Sequence, residues 1–70
     1  MTTFAMTASV PATANQRGEP VGAYSGTYRI FAPSPQGAGY AAQQLFKADL
    51  ARARLTALGE VQLEPHFAGD

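Results

Sequence analysis

Between Tyr40 and Leu58 the chain carries neither glycine nor proline, and every other stretch of that length is interrupted by one. Ala, Leu, Gln, Lys and Arg dominate it, and all five are strong helix formers. The spacing predicts a single helix over about residues 38–58, with Gly59 as the left-handed residue past its end. Lys47, Arg52 and Arg54 fall in its middle and later turns, where cations suit the helix dipole. A helix of that size takes up much of a 70-residue chain, so the remainder must form short elements laid against it.

Three other stretches alternate. In Thr3–Val10, Phe4, Met6, Ala8 and Val10 point one way and Thr3, Ala5, Thr7 and Ser9 the other, the period of a half-buried strand. Pro11 ends it. Residues 11–26 hold Pro11, Asn15, Gly18, Pro20, Gly22 and Gly26 and read as a loop, with room for a short edge strand at Val21–Tyr24 and a turn at Tyr24-Ser25-Gly26. Thr27–Ala32 alternates again, with Tyr28, Ile30 and Ala32 on one face; Phe31 beside Arg29 suggests that the second face is partly covered. Pro33, Pro35, Gly37 and Gly39 connect this strand to the helix. Glu60–Glu64 places Val61 and Leu63 inward, Pro65 ends that strand, and residues 65–70 form a tail. The expectation is one α+β domain over residues 1–70, a small three-stranded sheet with one long helix on one face, in the order strand, strand, helix, strand. The strands flanking the helix either pair in parallel through a right-handed crossover or have another strand between them.

At 100° per residue, Ala41, Ala48, Ala51, Leu55 and Leu58 fall in one sector of the helix. Ala42, Phe46, Leu50, Ala53 and Ala57 fall roughly opposite. A helix on a single sheet needs one apolar stripe, so the other packs on the 11–26 loop or on a partner, either a second copy or a larger complex. Phe46, Leu50, Ala53 and Ala57 are the expected contact face, with Lys47, Arg52 and Arg54 as its charged rim. A core this small gains from such cover. Ordering each residue costs about 1.5 kcal/mol, and the chain has no cysteine for a disulfide or thiolate metal site.

Charged residues make up 14% of the chain and the net charge is zero, so the basic excess that neutralises phosphates is missing and direct nucleic-acid binding is not expected. No apolar run approaches the roughly 18 residues of a membrane helix. The first fifteen residues lack the basic and apolar regions of a secretory signal, which gives a soluble cytoplasmic protein as the expectation. Gly37-Ala38-Gly39-Tyr40-Ala41-Ala42 fits G-x-G-x-x-A after a strand and before a helix, the outline of a phosphate cradle. The Pro33–Gln36 spacer and the bulk of Tyr40 fit that role poorly, which leaves a nucleotide-binding fragment as the minor reading. His66 is the one imidazole and has no second ligand at metal-binding spacing. Ser9, Ser25 and Ser34 lie in no nucleophile elbow. Glu60 and Glu64 share a strand face roughly 13 Å apart at about 3.3 Å per residue, too far for a retaining glycosidase pair. No catalytic residue, metal or cofactor is assigned.

Phe4, Thr7, Ala8, Val10 and Pro11 stand in a pattern close to F-x-x-T-A-x-V-P. With Thr27-Tyr28, Pro33 and Gly59-Glu60-Val61, the chain resembles the small core linker polypeptides of phycobilisomes, the CpcD-like family. That resemblance implies a protein wedged among antenna discs and acting by packing. The zero net charge and the single Arg17 after the first strand depart from that family's basic character. By size, layout and lack of catalytic residues, the chain is also similar to small phage and mobile-element inhibitors of host machinery, including anti-CRISPR proteins. The combined expectation is a non-catalytic interaction module that binds a larger complex, with homodimerisation as a further possibility.

Overall fold

The computed structural model describes residues 2–66. The chain forms β1 (Thr2–Val10), β2 (Thr13–Ala14), β3 (Tyr24–Ala32), α1 (Pro35–Arg52), β4 (Thr56–Ala57) and β5 (Gln62–His66). β3, β1 and β5 make an antiparallel sheet in that order, and β2 pairs with β4 in a separate two-stranded ribbon. β1 therefore lies between the strands that flank the helix, the second of the two expected arrangements, and the helix covers one face of the sheet.

The alternation of β1 works as read. Met6, Ala8 and Val10 are buried beneath the helix, with Phe4 packed beside them. β3 is longer than expected. Tyr24-Ser25-Gly26 continues the strand instead of turning, because Tyr24 packs against Phe46 (ring centroids 5.9 Å apart) and Gly26 leaves space for the Tyr28 ring. Val21 lies outside any strand. Phe31 is 65% exposed, so the outer sheet face is open at the position expected to be covered.

The helix is displaced toward the N-terminus from 38–58. Ser34 is its N-cap, accepting from the Gly37 N–H at 3.2 Å, and Pro35 takes the first helical position, where a missing N–H costs nothing. At the other end Ala53 is the C-cap. Arg54 adopts the left-handed conformation at φ 59°. Its N–H reaches the Ala51 carbonyl, and the Leu55 N–H reaches the Leu50 carbonyl at 2.9 Å. These are the two bonds of a Schellman motif, here with arginine in the usual glycine position. Gly59, the expected terminator, sits in a later turn at φ 117°. Leu55, Ala57 and Leu58 are consequently not helical.

β5 begins later than Glu60 and runs through Pro65. A strand at the sheet edge tolerates a residue without an N–H. The expected tail 65–70 thus starts inside the strand, and residues 67–70 lie outside the described part of the chain.

Segment 11–26 is held by its own bonds. Buried Thr13 donates to the Gly22 carbonyl at 2.7 Å. Asn15 Oδ1 accepts from the N–H groups of Arg17 and Glu19, both at 2.9 Å. The β2–β4 ribbon and a Leu58 N–H to Ala12 carbonyl bond of 2.8 Å anchor this segment to the chain just after the helix. It does not lie over the back of the helix, where Lys47, Ala48 and Ala51 are exposed.

Candidate protein interface

The two stripes of the helix have the opposite roles from those expected. Phe46 is 0% exposed and Leu50 5%, packed with Ala8 and Val10 of the sheet. Ala38 and Ala42 extend the same buried row under Met6, Ile30 and Ala32. The physical reason is size. The helix ends at Arg52, so Leu55 and Leu58 fall outside it; Phe46 and Leu50 fill the gap between helix and sheet, and Ala48 and Ala51 are left outside. Phe46 and Leu50 are therefore core residues and offer nothing to a partner. Ala57 is also corrected. It is half-buried in β4, against the cluster of Val10 and Phe46. Ala53 is exposed at the helix cap.

The rim residues do face outward. Lys47, Arg52 and Arg54 are exposed, with Ala48, Ala51 and Ala53 exposed among them. Arg54 and Ala53 also border a shallow depression with Asn15, Gln16, Arg17 and Glu19. The folding of segment 11–26 thus adds Arg17 to the helix exit, a juxtaposition that sequence spacing does not reveal. Four of the chain's five cations gather at this end, so a neutral chain carries a basic patch. Two acids lie within it: Glu19, which borders the same depression as Arg17 and Arg54, and Asp49, 3.7 Å from Arg52. Arg52 is so exposed that this pair contributes little to stability.

Asp49 has a second partner. The Tyr28 hydroxyl, rising from β3, donates to Asp49 Oδ2. Burial, followed by the hydrogen bond and the charge of Asp49, pushes the Tyr28 phenol up to about 12. This bond fixes the flank of the helix to β3. Along that flank Ala41, Leu45 and Asp49 form an i, i+4 row, with Leu45 46% exposed.

The other sequence candidates do not converge. Gly37 and Gly39 lie within the first helical turns, not in a loop that could cradle phosphate. A Cβ on Gly39 would meet Met6 Cε at 3.7 Å and Leu63 Cδ1 at 3.8 Å, ordinary packing distances, so this buried position faces the sheet and no ligand. Ser34 is committed to the helix cap. Ser9 and Ser25 are cross-strand neighbours on the outer sheet face, with Gln62 beyond Ser9. Among the described residues no group of three His, Cys, Asp or Glu side chains could hold a metal ion, and no helix is long and apolar enough to cross a membrane. No family model, curated protein or solved structure matches the chain.

Proposed function

We propose that the chain is a small, cytoplasmic, non-catalytic interaction module that binds a larger protein complex through the exit of its helix. The observation that carries this reading is the exposed patch of Lys47, Arg52 and Arg54 around Ala48, Ala51 and Ala53. Small apolar residues at the centre allow close approach, and cations at the rim select an acidic partner surface. Arg17 extends the rim across the depression beside Arg54. This keeps the charged part of the expected contact face and moves its centre from Phe46 and Leu50 to the exposed alanines.

The test is capture of partners on the wild-type protein and on a variant combining Lys47→Glu, Arg52→Glu and Arg54→Glu. All three residues are exposed, so the variant should keep the wild-type circular dichroism. Loss of the captured complex supports the reading, and equal capture overturns it. The captured complex also separates the two forms of the proposal. A nuclease effector assembly identifies an inhibitor of host machinery, of anti-CRISPR type. Biliproteins identify an antenna linker.

A further inference from the structure

Arg17 and Arg54 border one depression of about 260 Å³ with Asn15, Gln16, Glu19 and Ala53, and the backbone beneath each is fixed. Loop 15–19 is closed by its own hydrogen bonds. The Asn15 N–H donates to the Glu19 carbonyl at 2.9 Å, and the Gly18 N–H donates to the Asn15 carbonyl at 3.0 Å. Asn15 Oδ1 accepts from the N–H groups of Arg17 and Glu19. Arg54 stands at the left-handed position of the helix stop, at φ 59°, where glycine is usual because a Cβ is strained there.

The fold makes no ion pair with either guanidinium. Both arginines are exposed, and among the described residues the one ion pair is that of Arg52 with Asp49. Glu19 is the acid at hand, bordering the same depression. Its Oε1 instead accepts from Asn15 Nδ2 at 3.1 Å, and it pairs with neither arginine. A strained backbone position is retained where its side chain serves function, and the Arg54 guanidinium serves no ion pair inside this fold.

Taking the helix exit as the docking surface, we infer that this depression seats a single carboxylate, that of an acidic side chain on the partner, between Arg17 and Arg54. Charge decides the class of anion. Two guanidinium groups against one carboxylate, Glu19, leave a surplus of one positive charge. The carbonyl end of the helix, capped by Ala53 in the same depression, takes away part of that surplus. A carboxylate balances what is left. A phosphate monoester carries about −1.5 to −2 at neutral pH and exceeds it. The planar fork of arginine also matches the two oxygens of a carboxylate. One seated acid would thus join the loop and the helix stop into a single recognition element.

Titration with sodium acetate at constant ionic strength, followed by NMR at the arginine Nε–H groups, tests this without a partner. The Arg17 and Arg54 signals should move together and saturate at one midpoint. Arg17→Gln and Arg54→Gln, both at exposed positions, should each raise that midpoint by about tenfold or more. Arg29→Gln, on β3 and outside the depression, should leave it unchanged. Inorganic phosphate should bind no more tightly than acetate. Glu19→Gln keeps an acceptor for Asn15 and removes the charge, so it should shift the preference toward phosphate. In the captured complex Arg17→Gln should weaken binding by about tenfold. The inference is overturned by arginine signals that move independently or never saturate, or by midpoints indifferent to Arg17→Gln and Arg54→Gln. Phosphate bound more tightly than acetate by the wild type, or equal affinity of the complex for wild type and Arg17→Gln, also overturns it. Capture without acetate binding leaves the helix exit to Lys47 and Arg52 and removes the carboxylate site. Acetate binding without capture removes the helix-exit reading and its partner, so the two failures are distinguishable.

Discussion

The Tyr28 hydroxyl donates to the Asp49 carboxylate, tying the middle of β3 to the C-terminal part of the helix. Both residues are half-buried, and the bond sets the side toward which the helix leans. Tyr28→Phe keeps the ring and removes the donor. We expect a loss of about 1–2 kcal/mol in urea unfolding, the range for a hydrogen bond to a charged group that water can partly replace.

Burial of the Tyr28 phenol, with this bond and the charge of Asp49 added to it, makes stability depend on alkaline pH. The folded state holds the Tyr28 proton up to about 12 against an ordinary value of 10.0. Below the ordinary value both states are protonated and the contribution is complete. Between the two values the unfolded chain ionises first, so stability falls as pH rises. Melting measured through that window should decline more steeply for wild type than for Tyr28→Phe. Parallel declines would show that the folded state does not raise the Tyr28 phenol.

Gly26 is the second requirement of this contact. A Cβ there would stand 2.6 Å from Tyr28 Oη and 3.0 Å from Cζ, nearer than packed atoms allow. Gly26→Ala should cost about 1–3 kcal/mol by forcing the ring aside. The cost should shrink in a Tyr28→Phe background, since the closest atom is then gone. Additive costs in that double-mutant cycle would contradict the assignment.

Arg54 occupies a left-handed position without being glycine, and such residues hold strain of order 1 kcal/mol. Arg54→Gly relieves the strain but frees the unfolded chain at a cost of about 0.4–1 kcal/mol, so a small net gain of at most about 0.6 kcal/mol is expected in thermal or urea unfolding. A loss would mean that the arginine side chain, not the backbone turn, holds the helix end.

Much of the fold is legible along the chain, because alternation and helix propensity are local. β1 follows from Phe4, Met6, Ala8 and Val10. The existence of the helix follows from the segment without glycine or proline. Its ends do not, since two punctuation signals mislead. Pro35 reads as a breaker, yet after Ser34 it starts the helix. Gly59 reads as the terminator, yet Arg54 takes the left-handed turn five residues earlier. Gly26 reads as a turn until the position of the Tyr28 ring is known, which is tertiary information. The direction of the helix is the harder case. Periodicity finds two stripes and does not rank them. The bulk of Phe46 and Leu50 identifies the core only once the helix is known to end at Arg52, which removes Leu55 and Leu58 from the other stripe and leaves it alanines alone. The gathering of Arg17 with Arg54 is not legible along the chain, because it depends on the β2–β4 ribbon.

Phe46→Ala separates the core role of that stripe from a contact role. With the ring fully buried, the substitution should cost about 3–5 kcal/mol, enough to unfold a domain of this size. Phe31→Ser, on the open outer face, should leave the melting transition within about 0.5 kcal/mol of wild type. Circular dichroism melts decide both. A folded Phe46→Ala protein with wild-type stability would return that residue to the surface.

The most direct measurement of the proposed function is a calorimetric titration of the purified captured complex with three proteins: wild type, the Lys47→Glu, Arg52→Glu, Arg54→Glu variant, and Phe31→Ser. The account expects wild-type affinity for Phe31→Ser, affinity for the charge-reversed variant reduced by at least about tenfold as complementary rim charges become repulsive, and weakening of wild-type binding by added salt. Equal affinity for wild type and the charge-reversed variant, with no effect of salt, would contradict the claim that the chain acts through the exit of its helix.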